Sequence, residues 1–260
     1  MKKSLLPLLI LLFSCAEKKA TNMEISNVGN GYEPPYFEDT MRASKVLKYA
    51  AVVDSIFRRS ARANHNPAIA YGIVVDDKLV YSNAVGYANL EKRIAADSKS
   101  RFRIASMTKS FTAMAILRLR DEGKLQLSDP AADYIPEMAA LTYPLKDATP
   151  ITIFNLLTMS AGFPEDNPWG DRQLSDTDQD LIDLVKSGIS FSSIPGSQFE
   201  YSNLGYGLLG RIVSSVSGQR YQDYVIEKIL RPLGMLDCEF DCEKIPKENL
   251  ALGYRWEDNQ

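Results

Sequence analysis

A serine three residues ahead of a lysine puts a hydroxyl and an amine on one face of a helix, and Ser106-Met107-Thr108-Lys109 is the one such S-x-x-K pair in the chain. The pair suits acyl transfer, with Ser106 as nucleophile and Lys109 handling its proton. Residues Ser106 to Glu122 read as a helix stopped by Gly123. Its opening turn has free backbone N–H groups and a dipole that favour a developing negative charge. Phe111, Ala113, Met114, Ala115, Ile116, Leu117 and Leu119 go nearly all the way round it, the pattern of a buried helix. Burial disfavours a charged amine, so Lys109 is expected to be able to take a proton from Ser106. The bland alternative is a Ser106 that caps the helix and a Lys109 that reaches water. Spacing alone does not separate the two.

A second element, Tyr201-Ser202-Asn203, follows Pro195-Gly196-Ser197-Gln198-Phe199-Glu200 and enters a new helix at Leu204. A loop that carries a phenol and an amide to a helix start makes a good active-site wall. The same Y-x-N spacing occurs at Tyr81-Ser82-Asn83 and Tyr87-Ala88-Asn89, but those tyrosines fall in or just after a β-rich run, where packing is their ordinary role. Other chemistries are excluded. The one histidine, His65, sits in the turn-like Asn64-His65-Asn66-Pro67 and precedes every nucleophile candidate, and no G-x-S-x-G is present. One His and two distant Cys do not make a usual zinc site. A base would have to be Lys, Tyr or a carboxylate, with no metal or cofactor.

These residues need a scaffold. Met41 to Ala63 has apolar residues at helical spacing (Val46, Tyr49, Val53, Ile56) with basic residues between them, an amphipathic surface helix. Ile69 to Val75 and Leu79 to Val85 are β-rich runs around Asp76-Asp77, a hairpin. Thr152–Met159, Asp178–Ser187, Leu204–Val216 and Tyr221–Leu230 are further helix candidates. A hairpin followed by many helices predicts an α+β domain with a helical region inserted between sheet segments. The acidic run Asp176, Asp178, Asp180 and Asp183 suits a helix N-terminus and a solvated face. Trp169 fits equally a cleft wall or an anchor for its own loop.

Taken together, Ser106-x-x-Lys109, Leu156-Leu157-Thr158-Met159-Ser160-Ala161-Gly162-Phe163-Pro164, Pro195-Gly196-x-x-Phe199-x-Tyr201-Ser202-Asn203, Gly205-Tyr206-x-Leu208-Leu209-Gly210 and Pro232-Leu233-Gly234-Met235 resemble the β-lactamase-related serine hydrolases. That family includes class C β-lactamases, penicillin-binding proteins, D-alanyl-D-alanine carboxypeptidases and esterases. The resemblance covers roughly residues 45 to 240, in the family's order. It implies a β-lactamase/transpeptidase-like fold in which Ser106 forms an acyl-enzyme, Lys109 and Tyr201 share the acid and base work, Asn203 binds the substrate's amide, and the Ser106 N–H forms half of an oxyanion hole. Tyr201 would need the Lys109 charge nearby to titrate below its usual value of about 10. Met159 stands where many members have His, for which only a packing change is expected.

The family's third motif, K-[ST]-G or H-x-G, does not follow Asn203; Lys186-Ser187-Gly188 fits the letters but precedes Tyr201 and closes a predicted helix. The expectation is therefore a domain over residues 41–260 that is truncated at its C-terminus, Gln260 being 57 residues past Asn203. An inactive fragment or a non-catalytic penicillin-binding-like sensor is the rival reading.

The N-terminus reads as a leader. Lys2 and Lys3 precede the apolar stretch Leu5 to Phe13, too short for a bilayer-spanning helix of about 20 residues. Leu12-Phe13-Ser14-Cys15 resembles a bacterial lipobox, which makes residues 1–15 a lipoprotein signal peptide with Cys15 lipidated and residues 16–40 a polar tether. The expected location is the bacterial envelope, lipid-anchored, where peptidoglycan stem peptides, β-lactams or esters are candidate substrates. A formal net charge of -3 with no basic run argues against a nucleic-acid partner. Cys238 and Cys242, four residues apart, have poor disulfide geometry on a helix and are expected as free thiols.

Overall fold

The computed structural model describes residues 37–167 and 177–257. Cys15 with the rest of the leader, most of the tether, Trp169 and Asp176 lie outside them.

The chain opens with helices α1 (Arg42–Leu47) and α2 (Ala50–Ala63), then strands β1 (Ala68–Val75), β2 (Lys78–Asn89) and β3 (Ile94–Ala95). The three strands form one antiparallel sheet in the order β1-β2-β3. Asp76 and Asp77, with φ of 51° and 59°, make the tight hairpin turn, a left-handed pair that short polar side chains tolerate. Ala68 pairs with Gly86 and Val75 with Lys78, with one irregularity at Ile73/Val74. The N-terminal helix is expected as one piece but is two. No Gly or Pro marks the junction at Lys48-Tyr49. Tertiary contacts decide it: α2 lies on the sheet through Phe57, whose ring stacks 4.0 Å from Tyr71, and through Asp54, which accepts the Tyr71 and Tyr81 hydroxyls at 2.7 Å each. The change of direction lets Arg42 of α1 reach Asp76 at the hairpin tip, 2.7 Å away.

The helical layer follows: α3 (Thr108–Asp121), α4 (Ile153–Leu157), α5 (Asp178–Ser187), α6 (Asn203–Ser217) and α7 (Tyr221–Val225), the last running on into a wider π-type turn over Ile226–Leu230. α4 and α5 start at reciprocal capping boxes, Thr152 with Asn155 and Thr177 with Asp180. α6 ends at Gly218, whose φ of 69° is the left-handed close favoured by glycine. Leu204, Leu208, Leu209, Ile212 and Val213 give α6 one buried face, which meets Ala115, Ile116 and Leu119 of α3, Ile153 and Leu156 of α4, and Phe163 in a single apolar core.

α3 differs from its expected form twice. It begins at Thr108, and Ser106 lies before it in a 3₁₀ turn, Ala105–Met107. Its burial is one-sided, Thr112, Ala115, Ile116 and Leu119, while Met114 stays 38% exposed. Those four recur at i, i+3, i+4 and i+7, and that stripe, not the total apolar content, faces the core.

Candidate active site

Ser106 sits where the chain leaves the sheet for α3. Ala105 before it has a φ of 46°, a left-handed conformation uncommon outside glycine, and such strain concentrates at functional positions. The turn places the Ser106 hydroxyl at the surface, one helical step from Lys109, which is half-buried.

The opposite wall is delivered by α6. Ser202 caps that helix by accepting the Gly205 N–H at 3.0 Å, so Tyr201 immediately precedes the helix and Asn203 opens it. Ser106 Oγ lies 2.7 Å from Tyr201 Oη. Lys109 Nζ donates to Ser106 Oγ at 3.2 Å, to Tyr201 Oη at 2.9 Å and to Asn203 Oδ1 at 2.5 Å. Tyr201 Oη is also 3.2 Å from Asn203 Oδ1. All three ammonium protons of Lys109 have an acceptor, so its amine points into the site and not to water. The surroundings are less dry than expected, because Ser106 itself is exposed.

The Tyr201 phenol is held below its usual range. Burial pushes it up, but hydrogen bonds from Lys109 and Ser106 and the Lys109 charge outweigh that; the Asp166 charge opposes them. The Lys109 Nζ is 4.9 Å from the Tyr201 ring centroid and 5.6 Å from that of Tyr206, which is fixed by its hydroxyl on the Leu157 carbonyl at 3.1 Å. A cation against two aromatic faces adds to its retention there.

All four expected site residues, Ser106, Lys109, Tyr201 and Asn203, are therefore brought together. The look-alikes stay structural. Tyr81 is bonded to Asp54, Tyr87 is exposed, and Lys186-Ser187-Gly188 closes α5, with the Ser187 hydroxyl on the Leu184 carbonyl and Gly188 at φ 96°. His65 is a turn residue with φ 53°, stacked 3.8 Å from the Trp256 ring. Cys238 and Cys242 are free thiols. Sequence reasoning gave no role to Asp166, Glu200 or Tyr206. Tyr206 and Glu200 lie within the quoted motif runs; Asp166 lies just beyond one, and its contacts are to distant backbone. Met159 takes a left-handed φ of 54° and offers its carbonyl to the Glu200 N–H at 2.9 Å, one residue before Tyr201.

The beta-lactamase family model matches residues 53–260. Protein flp of Staphylococcus aureus (strain COL) is 33% identical over 204 residues, 78% of this chain and 40% of that protein. The chain thus spans about two fifths of the curated relatives it matches. Among solved structures, the octameric penicillin-binding protein homologue from Pyrococcus abyssi aligns with a TM-score of 0.69 at 31% identity, covering 80% of this chain and 48% of that one. A class C beta-lactamase in complex with cefoxitin aligns at 0.66 and 27% identity, covering 82% and 56%. The helices and antiparallel sheet are the β-lactamase/transpeptidase-like fold these structures share. With a serine-hydrolase-like centre in place on that fold, the chain belongs to the beta-lactamase family.

Proposed function

We propose that the chain acylates itself on Ser106 from an amide, β-lactam or ester and releases the acyl group to water. The triangle of Ser106 Oγ, Tyr201 Oη and Lys109 Nζ, with sides of 2.7, 2.9 and 3.2 Å, carries this reading. Tyr201, with its phenol depressed by Lys109, takes the Ser106 proton as Oγ attacks the carbonyl carbon. The tetrahedral adduct then expels its leaving group, which takes that proton from Tyr201. Water attacks the acyl-enzyme by the reverse route, with Tyr201 again the base. Asn203 Oδ1 is engaged by Lys109, and among the described residues its Nδ2 has no partner, which leaves it to donate to a substrate carbonyl.

The test is incubation of the full chain with a fluorescent penicillin and with a fluorophosphonate, read by intact mass and peptide mapping. The expected result is one adduct, on Ser106, absent from Ser106→Ala. No adduct with either probe would overturn the reading. An acyl-enzyme that forms and does not turn over would identify a sensor in place of a hydrolase. Cefoxitin is a reasonable first lactam, since a related class C enzyme has been solved with it. The proposal keeps Cys15 as membrane anchor, supported by Leu12-Phe13-Ser14-Cys15. Detergent-phase partition of the bacterially expressed protein should be lost in Cys15→Ser.

A further inference from the structure

Two carboxylates behind Tyr201 are used by none of these steps. Asp166 Oδ1 accepts the Asn203 N–H at 2.6 Å, and its Oδ2 accepts the Leu204 N–H at 2.7 Å and the Ser202 hydroxyl at 3.2 Å. Glu200 makes the return connection. Its Oε1 accepts the Glu165 N–H at 2.8 Å, and its Oε2 accepts the Ser192 hydroxyl. Residues 165–166 and 200–204 are thus stitched together in both directions, with Tyr201 between the two latches.

Asp166 and Ser202 serve different amides of α6, Asn203 and Leu204 for the first and Gly205 for the second. The first amides of any helix lack intrahelical acceptors, and Ser202 already supplies the usual side-chain cap to α6. Asp166 adds a second set of bonds, directed at the backbone of the very residue whose side chain holds Lys109 and Tyr201. The bonds run without a gap from the Asp166 carboxylate through Asn203 to Lys109 and Ser106. The charge of Asp166 also sets it apart from Ser202. The charged and titratable groups facing the Tyr201 phenol are Lys109 from α3, which favours the phenolate, and Asp166 from the 165–166 segment, which opposes it; Tyr206 packs on the far side of the Lys109 amine.

We propose that Asp166 is a positioning residue of the acyl-transfer centre: it fixes the Tyr201-Ser202-Asn203 turn against Ser106 through the Asn203 and Leu204 amides. The proposal rests on the acyl-transfer reading for its kinetic consequence but not for its structural one.

The test uses the full chain as wild type, Asp166→Asn and Asp166→Ala, with Thr177→Ala, which removes the remote α5 cap, as control. The first readout needs no activity. With tyrosines labelled at the ring carbon bearing oxygen, and the Tyr201 signal assigned through Tyr201→Phe, the phenol in Asp166→Asn should titrate at lower pH than in wild type. Amides 203 and 204 should exchange faster in Asp166→Ala, and Thr177→Ala should change neither. The second readout is the rate of Ser106 labelling. It should fall in Asp166→Ala on the order of 100-fold, the effect of misplacing a reacting group by about 1 Å. Asp166→Asn should retain more of the rate, with the rise of rate with pH displaced to lower pH. If Asp166→Ala does not fold, the near-isosteric Asn variant still decides. An unchanged Tyr201 titration in Asp166→Asn, together with wild-type exchange at amides 203 and 204, would overturn the proposal. A wild type that takes up no probe would instead defeat the acyl-transfer reading, while titration and exchange would still judge Asp166.

Discussion

At the scale of single residues, the Tyr201 phenol is balanced between opposing effects. Burial favours its neutral form, and Lys109 supplies both a hydrogen bond and a charge that favour the phenolate. If the phenolate is the base, labelling of Ser106 must rise with pH through the Tyr201 titration. The midpoint lies below the ordinary tyrosine value because the folded protein stabilises the ionised form. Lys109→Met removes the donor and the charge together, so the rising limb should move to higher pH; a limb that stays in place would mean that Tyr201 is not what titrates. Tyr201→Phe should lower the rate by roughly 10²- to 10⁴-fold, the usual worth of a positioned acid-base group, and should abolish the limb. Ser106, Lys109, Tyr201 and Asn203, singled out through the ordered motifs and the resemblance they carry, lie together in the structure. Asp166 was not singled out. It accepts the backbone N–H of Asn203, 37 residues away, and an aspartate in Pro164-Glu165-Asp166 carries no local sign of that.

Among the secondary-structure elements, glycines with similar backbone conformations separate into two classes. Gly162 has a φ of 82°, and a Cβ there would lie 2.4 Å from the Ser193 carbonyl oxygen. Gly218 has a φ of 69°, with nothing within 4 Å of such a Cβ. Gly218→Ala should therefore cost about 1 kcal/mol, the intrinsic penalty of a left-handed Cβ. Gly162→Ala should cost clearly more, roughly 2 kcal/mol or above, since backbone must shift as well. Denaturant unfolding of both variants checks the order, and equal losses would contradict it. Gly162 also bears on the site, because its carbonyl accepts the Ser192 N–H and hydroxyl, and Ser192 is held by Glu200. Helices with strong local signals were readable: α5 matched its expected bounds, because its Thr177–Asp180 capping box and closing Gly188 are encoded locally. The break between α1 and α2 and the 3₁₀ turn at Ser106 were not, because long-range packing fixes the first and a strained Ala105 the second.

The molecule as a whole is divided unevenly between its layers. Every residue of the main buried cluster falls between Ala115 and Leu230, while the strands contribute only Ala88 and Asn89 to the buried set. The order of a hairpin followed by helices made the two layers legible; their unequal burial was not, since the apolar runs of β1 and β2 look as core-like as those of α6. Val74 and Leu79 are each 64% exposed. Burial, more than strand pairing, sets the free energy needed to open a segment. The slowest-exchanging amides should thus lie in α3 and α6, around Ile116, Leu119, Leu209 and Ile212, and the β1–β2 hairpin should exchange through a smaller opening although its strands pair from Ala68–Gly86 to Val75–Lys78. Leu208→Ala should cost about 2–5 kcal/mol, and Val74→Ala no more than about 0.5 kcal/mol. The join between the layers runs through the segment leading to Ser106. Arg101 is bonded by its backbone to Asn249 and Ala251 and by its side chain to Asp237 at 2.6 Å. Ser106 thus stands at the exposed mouth of α3, at the join between the layers, while Tyr201 and Asn203 stand at the start of α6. Mild denaturant should accordingly abolish Ser106 labelling before α6 unfolds, with loss of label preceding loss of helical circular dichroism. Coincident transitions would show that the two layers open as one unit.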